Sequence, residues 1–331
     1  MLAALATGFV TGPLAAEVRV AAWGAELSRD GPGLLLRDLL EGEDPGLLAV
    51  AGVLRDVQAD VILLTEMDWD ADGAALAALA EVLAAGGLAY PHRLAVEPNA
   101  GLPTGLDLDG NGRLGDARDA QGYGRFRGDG GLALLSRWPL TLRADLTGLL
   151  WADLPGARPP PGTPPTQRLS STGHWVVEVG TPEGPLRLLA WAATPPVFDG
   201  PEDRNGLRNA DELMLWRHVL DRGEAPAPFV VLGNANLDPE AGQGLRAEMR
   251  AFLADPRLQD PLPGLPTADW PEPPEGPGDL RVTYVLPSAD VVVTGAGVAW
   301  AGDPLATALG EDEQAAGPHR LVWADLDLPG P

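Results

Sequence analysis

Apolar and polar positions along the chain fall into two rhythms. Val18–Trp23 is a short strand-like run, whereas Gly33–Leu40 and Leu47–Val57 carry apolar residues at helical spacing. Asp60–Thr65 is a compact apolar run that stops abruptly at Glu66, the pattern of a buried strand that delivers a polar side chain at its end. Ala74–Ala85 predicts a helix with Leu76, Leu79 and Leu83 as its buried stripe. Further strand-like runs follow at Leu132–Ser136, Trp175–Val179, Leu186–Ala192, Phe229–Leu232, Val282–Val285, Val291–Val293 and Leu321–Leu326, with helices at Asn209–Leu220 and Leu245–Leu253. A long Gly- and Asp-rich loop spans Pro91–Gly130. Two Pro-rich stretches, Pro155–Thr166 and Pro261–Gly278, read as exposed loops.

Strands outnumber helices, and the helices are scattered among them. This favours an α/β or α+β sandwich with sheets inside and helices outside. No repeat and no clear boundary divides the chain, so residues 17–331 read as a single domain. Residues 1–16 are small and apolar, and Ala15–Ala16 stands where a leader would be cleaved, although no basic residue precedes it. The expectation is an exported protein, periplasmic or extracellular; the other reading is a plain apolar N-terminus. No stretch of the sequence is long and apolar enough for a membrane-spanning helix.

Composition narrows the chemistry. The formal charge is -24, and all 23 basic residues are Arg. Such a chain repels polyanions, which disfavours nonspecific nucleic-acid binding and favours a soluble monomer, while a local Arg cluster could still take a small phosphoester. There is no Cys, which removes disulfides, thiol nucleophiles and Cys-ligated metals, and the four His are too few for a His-rich metal site. Nucleotide-binding glycine loops, the lipase elbow and the zincin helix are absent as motifs.

Eight segments, taken together, resemble the endonuclease/exonuclease/phosphatase superfamily, with its DNase I-like fold, and in particular an exported bacterial branch of it. They are VRVAAWGAELSRDGPG (18–33), DVILLTEMDWD (60–70), YPHRLAVEPNAGLPTGLDLDGNG (90–112), GGLALLSRWPL (130–140), LLAWAATPPVFDGPEDRNGLRN (188–209), FVVLGNANLDP (229–239), RVTYVLPS (281–288) and GPHRLVWADL (317–326). They stand in family order and cover nearly the whole chain. The resemblance implies an α+β, four-layer αββα sandwich of two packed mixed β-sheets flanked by helices. It also implies hydrolysis of a phosphoester assisted by Mg²⁺ or Mn²⁺ at one edge of the sheets. Such a reaction builds charge on oxygen and needs a cation and donors placed beforehand.

Position by position, the resemblance leaves Glu66 as the metal-binding Glu and retains Asn236 and His319. Five family positions are replaced, by Gly24, Ala192, Asn234, Thr283 and Pro318. Asn234 carries no charge, and Gly24 and Ala192 offer no side-chain donor or acceptor. Thr283 has only a neutral hydroxyl, and Pro318 removes the carboxylate that would orient His319. Losing an orienting carboxylate costs about 10⁴-fold in the serine-protease case. Losing one preorganised donor costs about 10²–10³-fold. Such losses do not add, but together they predict lost or strongly reduced hydrolysis. The alternatives are a residual hydrolase using Glu66, Asn236 and His319, or a non-catalytic, calcium-stabilised extracellular binding protein.

Other candidates lie outside those positions. Asp107, Asp109 and Asn111, with Gly112, resemble the start of a Ca²⁺ loop over 107–112, but the twelfth position is Arg118, with Asp116 and Asp119 nearby. A self-bonded Asp/Gly turn is the competing account. The stretch 198–206 holds Asp203, Arg204 and Asn205, which read either as substrate contacts or as a network pinning the loop. Asn209 and Glu212 fit a capping box for the following helix. His174, at a strand start, reads either as a substrate contact or as a packed residue. Trp23 and Trp191 neighbour replaced positions and are expected to fill space there.

Overall fold

Alternate residues of the first strand are buried on opposite sides. Ala21 and Trp23 pack with one apolar cluster, and Val18, Val20 and Ala22 with another. The second strand does the same with Ile62 and Leu64 on one side and Val61 and Leu63 on the other. Strands buried on both faces read as continuous apolar runs, which is why these two stood out in the sequence. The computed structural model describes residues 17–310 and 314–329. The leader-like stretch 1–16 lies outside the described residues.

The elements are β1 (Val18–Gly24), α1 (Leu34–Glu41), α2 (Pro45–Val57), β2 (Val61–Met67), α3 (Ala74–Ala85), β3 (His92–Leu94), β4 (Gly131–Ser136) and β5 (Leu140–Asp145). They continue with β6 (Gly173–Thr181), β7 (Gly184–Ala192), α4 (Arg204–Asp221), β8 (Phe229–Asn234), α5 (Arg246–Leu253), β9 (Thr283–Pro287), β10 (Val292–Ala299) and β11 (Leu321–Asp327). A six-stranded sheet has the order β10-β11-β1-β2-β4-β3, and a five-stranded sheet the order β5-β6-β7-β8-β9. The β1–β2 and β7–β8 pairs are parallel and the others antiparallel, so both sheets are mixed. Helices α1–α3 cover the outer face of the larger sheet, α4 and α5 that of the smaller. The expected four-layer αββα sandwich is the fold.

Several sequence expectations shift. β10 runs to Ala299 rather than stopping at Val293, because Gly295 and Gly297 hide its alternation. The Pro261–Gly278 stretch is not simply an exposed loop: Thr267 and Ala268 are buried, and Ala268 bridges to both Leu280 and His319. Helix α4 begins at Arg204, five residues before the expected cap, so Asn209 and Glu212 are interior helix residues. Asn209 Nδ2 donates to the carbonyls of Thr194 (2.8 Å) and Ala235 (2.7 Å), tying the ends of β7 and β8 to the helix.

This helix also anchors the long loop. The buried Arg208 guanidinium donates to the carbonyls of Leu169 (2.7 Å), Gln121 (2.6 Å), Arg168 (2.9 Å) and Ser170 (3.0 Å). Glu212, fully buried, accepts from the Ser171 and Thr194 amides, and burial pushes its carboxyl up against the pull of Arg208. His174 is also fully buried, with its ring 5.3 Å from that of Trp191 and 5.1 Å from that of Trp216. Its Nε2 faces the Glu212 carbonyl, which can only accept, so Nε2 carries the proton and Nδ1 accepts from Ser170 Oγ. Thus His174 is a packed core residue rather than a substrate contact.

Burial lowers the His174 pKa to about 3, whereas the unfolded chain takes up a proton near pH ~6.5. The stability contributed by the neutral ring is therefore present above that value and is lost as pH falls toward about 3. Urea-unfolding free energies across this window should fall more steeply for the natural protein than for His174→Gln. The difference should approach about 1.4 kcal/mol per pH unit. Parallel curves would show that His174 does not resist protonation.

Candidate functional site

Strand β2 pairs regularly with β4 up to Leu64 opposite Ala133, and pairing resumes at Met67 opposite Gly131. One extra residue on β2 makes a bulge, a device that re-aims a side chain. Glu66 sits in it with φ 62°, in the left-handed region that costs a non-glycine residue about 1–3 kcal/mol. Its Oε1 comes within 3.7 Å of His319 Nε2, so Glu66 and His319 are brought together. Glu26, two residues beyond β1, also has a left-handed backbone (φ 43°). Partial burial and the neighbouring Glu66 carboxylate push its carboxyl above the usual range.

His319 is only 5% exposed. The Trp270 ring meets it edge-on, with centroids 5.1 Å apart at 84°. Trp23 Nε1 donates to the His319 carbonyl (3.0 Å). Burial lowers the pKa of the ring, more than the Glu66 carboxylate raises it, and Arg320 lowers it further. A neutral imidazole 3.7 Å from a carboxylate is a weak partner. Its Nδ1 is buried without a hydrogen-bond partner, where Pro318 offers no side-chain acceptor.

Packing around Gly24 is close. A Cβ on Gly24 would lie 3.2 Å from His319 Cγ and 3.2 Å from Thr65 Oγ1, so the imidazole occupies the space a larger residue would need. Gly317 has φ 87°, and a Cβ there would come within 2.5 Å of Glu26 Cγ. On the other sheet, Ala192, Asn234 and Thr283 lie side by side across β7, β8 and β9. Asn234 Oδ1 accepts from the Asn236 amide (3.1 Å), and Asn236 (φ 51°) donates its Nδ2 to the Ala193 carbonyl (2.8 Å). Asn236 is thus held within its own sheet. Thr267 joins the two halves: its Oγ1 accepts from the Val282 and Thr283 amides (2.9 Å each), and its carbonyl accepts from the Arg320 amide (2.8 Å).

Residues 35–316 match the family described as the Endonuclease/Exonuclease/phosphatase family. The chain belongs to this family. An endonuclease/exonuclease/phosphatase from Beutenbergia cavernae has a similar structure, with a TM-score of 0.59 at 22% identity over 95% of this chain and 72% of that one. A family protein from Leptotrichia buccalis gives a TM-score of 0.53 at 11% identity over 94% of this chain and 100% of that one. Sphingomyelinase C from Streptomyces griseocarneus gives 0.51 at 18% identity over 94% and 99%. These likenesses speak to the fold. No curated protein matches the chain in sequence.

Members of this endonuclease/exonuclease/phosphatase family typically use divalent metals, and the carboxylates at this sheet edge are Glu66 and the neighbouring Glu26. Hard cations take several oxygen ligands. Among the described residues, the only group of three or more Asp, Glu or His side chains close enough to share an ion is Asp107, Asp109 and Asp119, in the long loop. Glu66, His319 and Glu26 do not converge that closely, and the opposing strands present the neutral Asn234 and Thr283.

The remaining candidates separate. Asp107, Asp109 and Asp119 place carboxylate oxygens within 4.8 Å of one another. Asn111, expected as the third ligand, instead donates to Asp109 (3.0 Å) and Asp116 (2.6 Å), and the buried Asp119 takes its place. In the 198–206 loop, Asn205 does the pinning: its amide donates to Asp199 and its Nδ2 to the Val197 carbonyl (2.6 Å). Asp203 stands at the start of α4 with φ 52°, and Arg204 opens the helix. The sequence reading missed Glu26 and Trp270. Neither lies in a periodic segment, and only their position beside the centre in three dimensions marks them.

The Gly24–His319 contact is directly measurable. Gly24→Asn should lower the urea-unfolding free energy by about 1–3 kcal/mol through overpacking. Adding His319→Ala should return part of that loss, giving a coupling of about 0.5–3 kcal/mol in the double-mutant cycle. Strict additivity would mean that the ring does not fill the Gly24 space.

Proposed function

We propose that this endonuclease/exonuclease/phosphatase-family protein has lost, or nearly lost, metal-dependent phosphoester hydrolysis and serves as a binding protein on the family fold. One observation carries the reading: His319, neutral and buried, is packed over Gly24 beneath Trp270, and among the described residues Glu66 has only Glu26 as a neighbouring carboxylate. A cation placed there would have at most those two carboxylates and water to hold it. The net charge of -24 adds a field that opposes an approaching phosphate. The experiment is hydrolysis of a phosphomonoester, a phosphodiester and sphingomyelin with Mg²⁺ or Mn²⁺. The expected rate equals that of buffer and does not change in Glu66→Ala. Metal-dependent turnover that disappears in Glu66→Ala would restore the hydrolase reading.

The close approach of Asp107, Asp109 and Asp119 favours a second role, a hard cation such as Ca²⁺ that stabilises the long loop. Adding Ca²⁺ should raise the thermal midpoint by mass action, and EDTA should reverse it. Asp109→Asn, at an exposed position, should abolish the Ca²⁺ response without unfolding the protein. A thermal midpoint indifferent to both Ca²⁺ and EDTA would eliminate this role.

A further inference from the structure

Open sheets end in strands whose outer N–H and C=O groups invite another chain, and proteins blunt them with charge, Pro, short length or cover. Three of the four sheet edges here are blunted. β3 is three residues long and contains Arg93. β5 carries Arg143, which bonds Glu178 on the neighbouring strand, and Asp145. β9 is covered by the segment 258–268, through the Leu258–Ser288 bridge and Thr267 Oγ1.

β10 is different. From Val291 to Gly302 the chain has no charged residue and no Pro. A bulge at Thr294 interrupts its pairing with β11, but Gly295–Ala299 then pair regularly with Asp325–Leu321. Beyond β11, no backbone group of Val292–Ala299 has a partner among the described residues. Gly295 and Gly297 carry no side chain of their own, and the Asp325 carboxylate and the Trp323 ring, with Arg19 stacked on it, lie close to where their Cβ atoms would stand. Another backbone can therefore approach closely.

The surroundings select the partner. Between Arg281 and Arg320 there is no Lys or Arg. Asp290 is exposed beside the start of β10, Asp327 pairs with Val292, and Glu17 bonds Thr294 Oγ1. Asp303 follows the far end. A second copy laid antiparallel along β10 would bring its own Asp290 toward Asp303 and add another -24 of charge. We propose that β10 is a docking edge for an extended segment of another protein, apolar at its centre and basic at its flanks, which adds to the six-stranded sheet as a further strand. This goes beyond the proposed loss of hydrolysis and stands whether or not the sheet-edge centre turns over.

The probe is a fluorescein-labelled peptide of alternating valine and threonine with a lysine pair at each end. The full-length protein should bind it saturably in fluorescence anisotropy, more weakly as salt rises, and hydrogen exchange should slow at amides 295–299. The double variant Val292→Lys, Thr294→Lys, at two exposed positions, should retain the natural thermal midpoint and bind about ten-fold more weakly, the equivalent of one or two lost ladder contacts. Replacing alternate peptide residues by proline should abolish binding. No saturable binding, equal affinity for the double variant, or protection elsewhere would overturn the proposal. So would a dimer in sedimentation that the same double variant dissociates, because the edge would then belong to a second copy.

Discussion

The layer shared by the two sheets is apolar, built from residues such as Val20, Leu63, Trp175, Leu188, Val230 and Leu326. Its dryness governs the rest of the molecule. Strands that feed it on one side and a helix layer on the other have no face left for polar chemistry. Polar groups are therefore displaced to strand ends, to the loops beyond them, and to the outer layer beneath α4.

The displacement is clearest where β1, β2 and the segment before β11 end together. Glu66, His319 and Glu26 emerge there, and two of the three hold strained backbone conformations. Strain of this kind persists only where the surroundings over-determine it. Here the surroundings are a bulge, an imidazole packed on a glycine, and a tryptophan edge. At Gly24 the small residue and the close packing go together, because the His319 ring stands where a larger side chain would lie.

Much of the fold was legible because doubly buried strands write continuous apolar runs, as in Asp60–Thr65, and helices write a stripe, as in Ala74–Ala85. The edges were not. β5 alternates weakly, and Gly295 and Gly297 erase the pattern of β10. The start of α4 was misplaced because Asn209 and Glu212 match a capping signature while their side chains serve distant carbonyls and amides. In the candidate site, the register of Ala192, Asn234 and Thr283 across three strands agrees with the segments that suggested them. The contacts of Glu26 and Trp270 depend on loop paths that no periodicity encodes. His174 was ambiguous in sequence because a buried neutral ring and a substrate-facing one are the same letter.

The Arg208 clamp has a consequence for what holds the long loop in place. Its guanidinium holds the carbonyl of Gln121, 87 residues earlier, together with three carbonyls from 168–170. Two of these carbonyls also accept from outside the helix, that of Gln121 from Gln167 Nε2 (2.8 Å) and that of Ser170 from Asn99 Nδ2 (2.7 Å). The segment around Gln121 is therefore held jointly, by Arg208 of the helix and by Gln167.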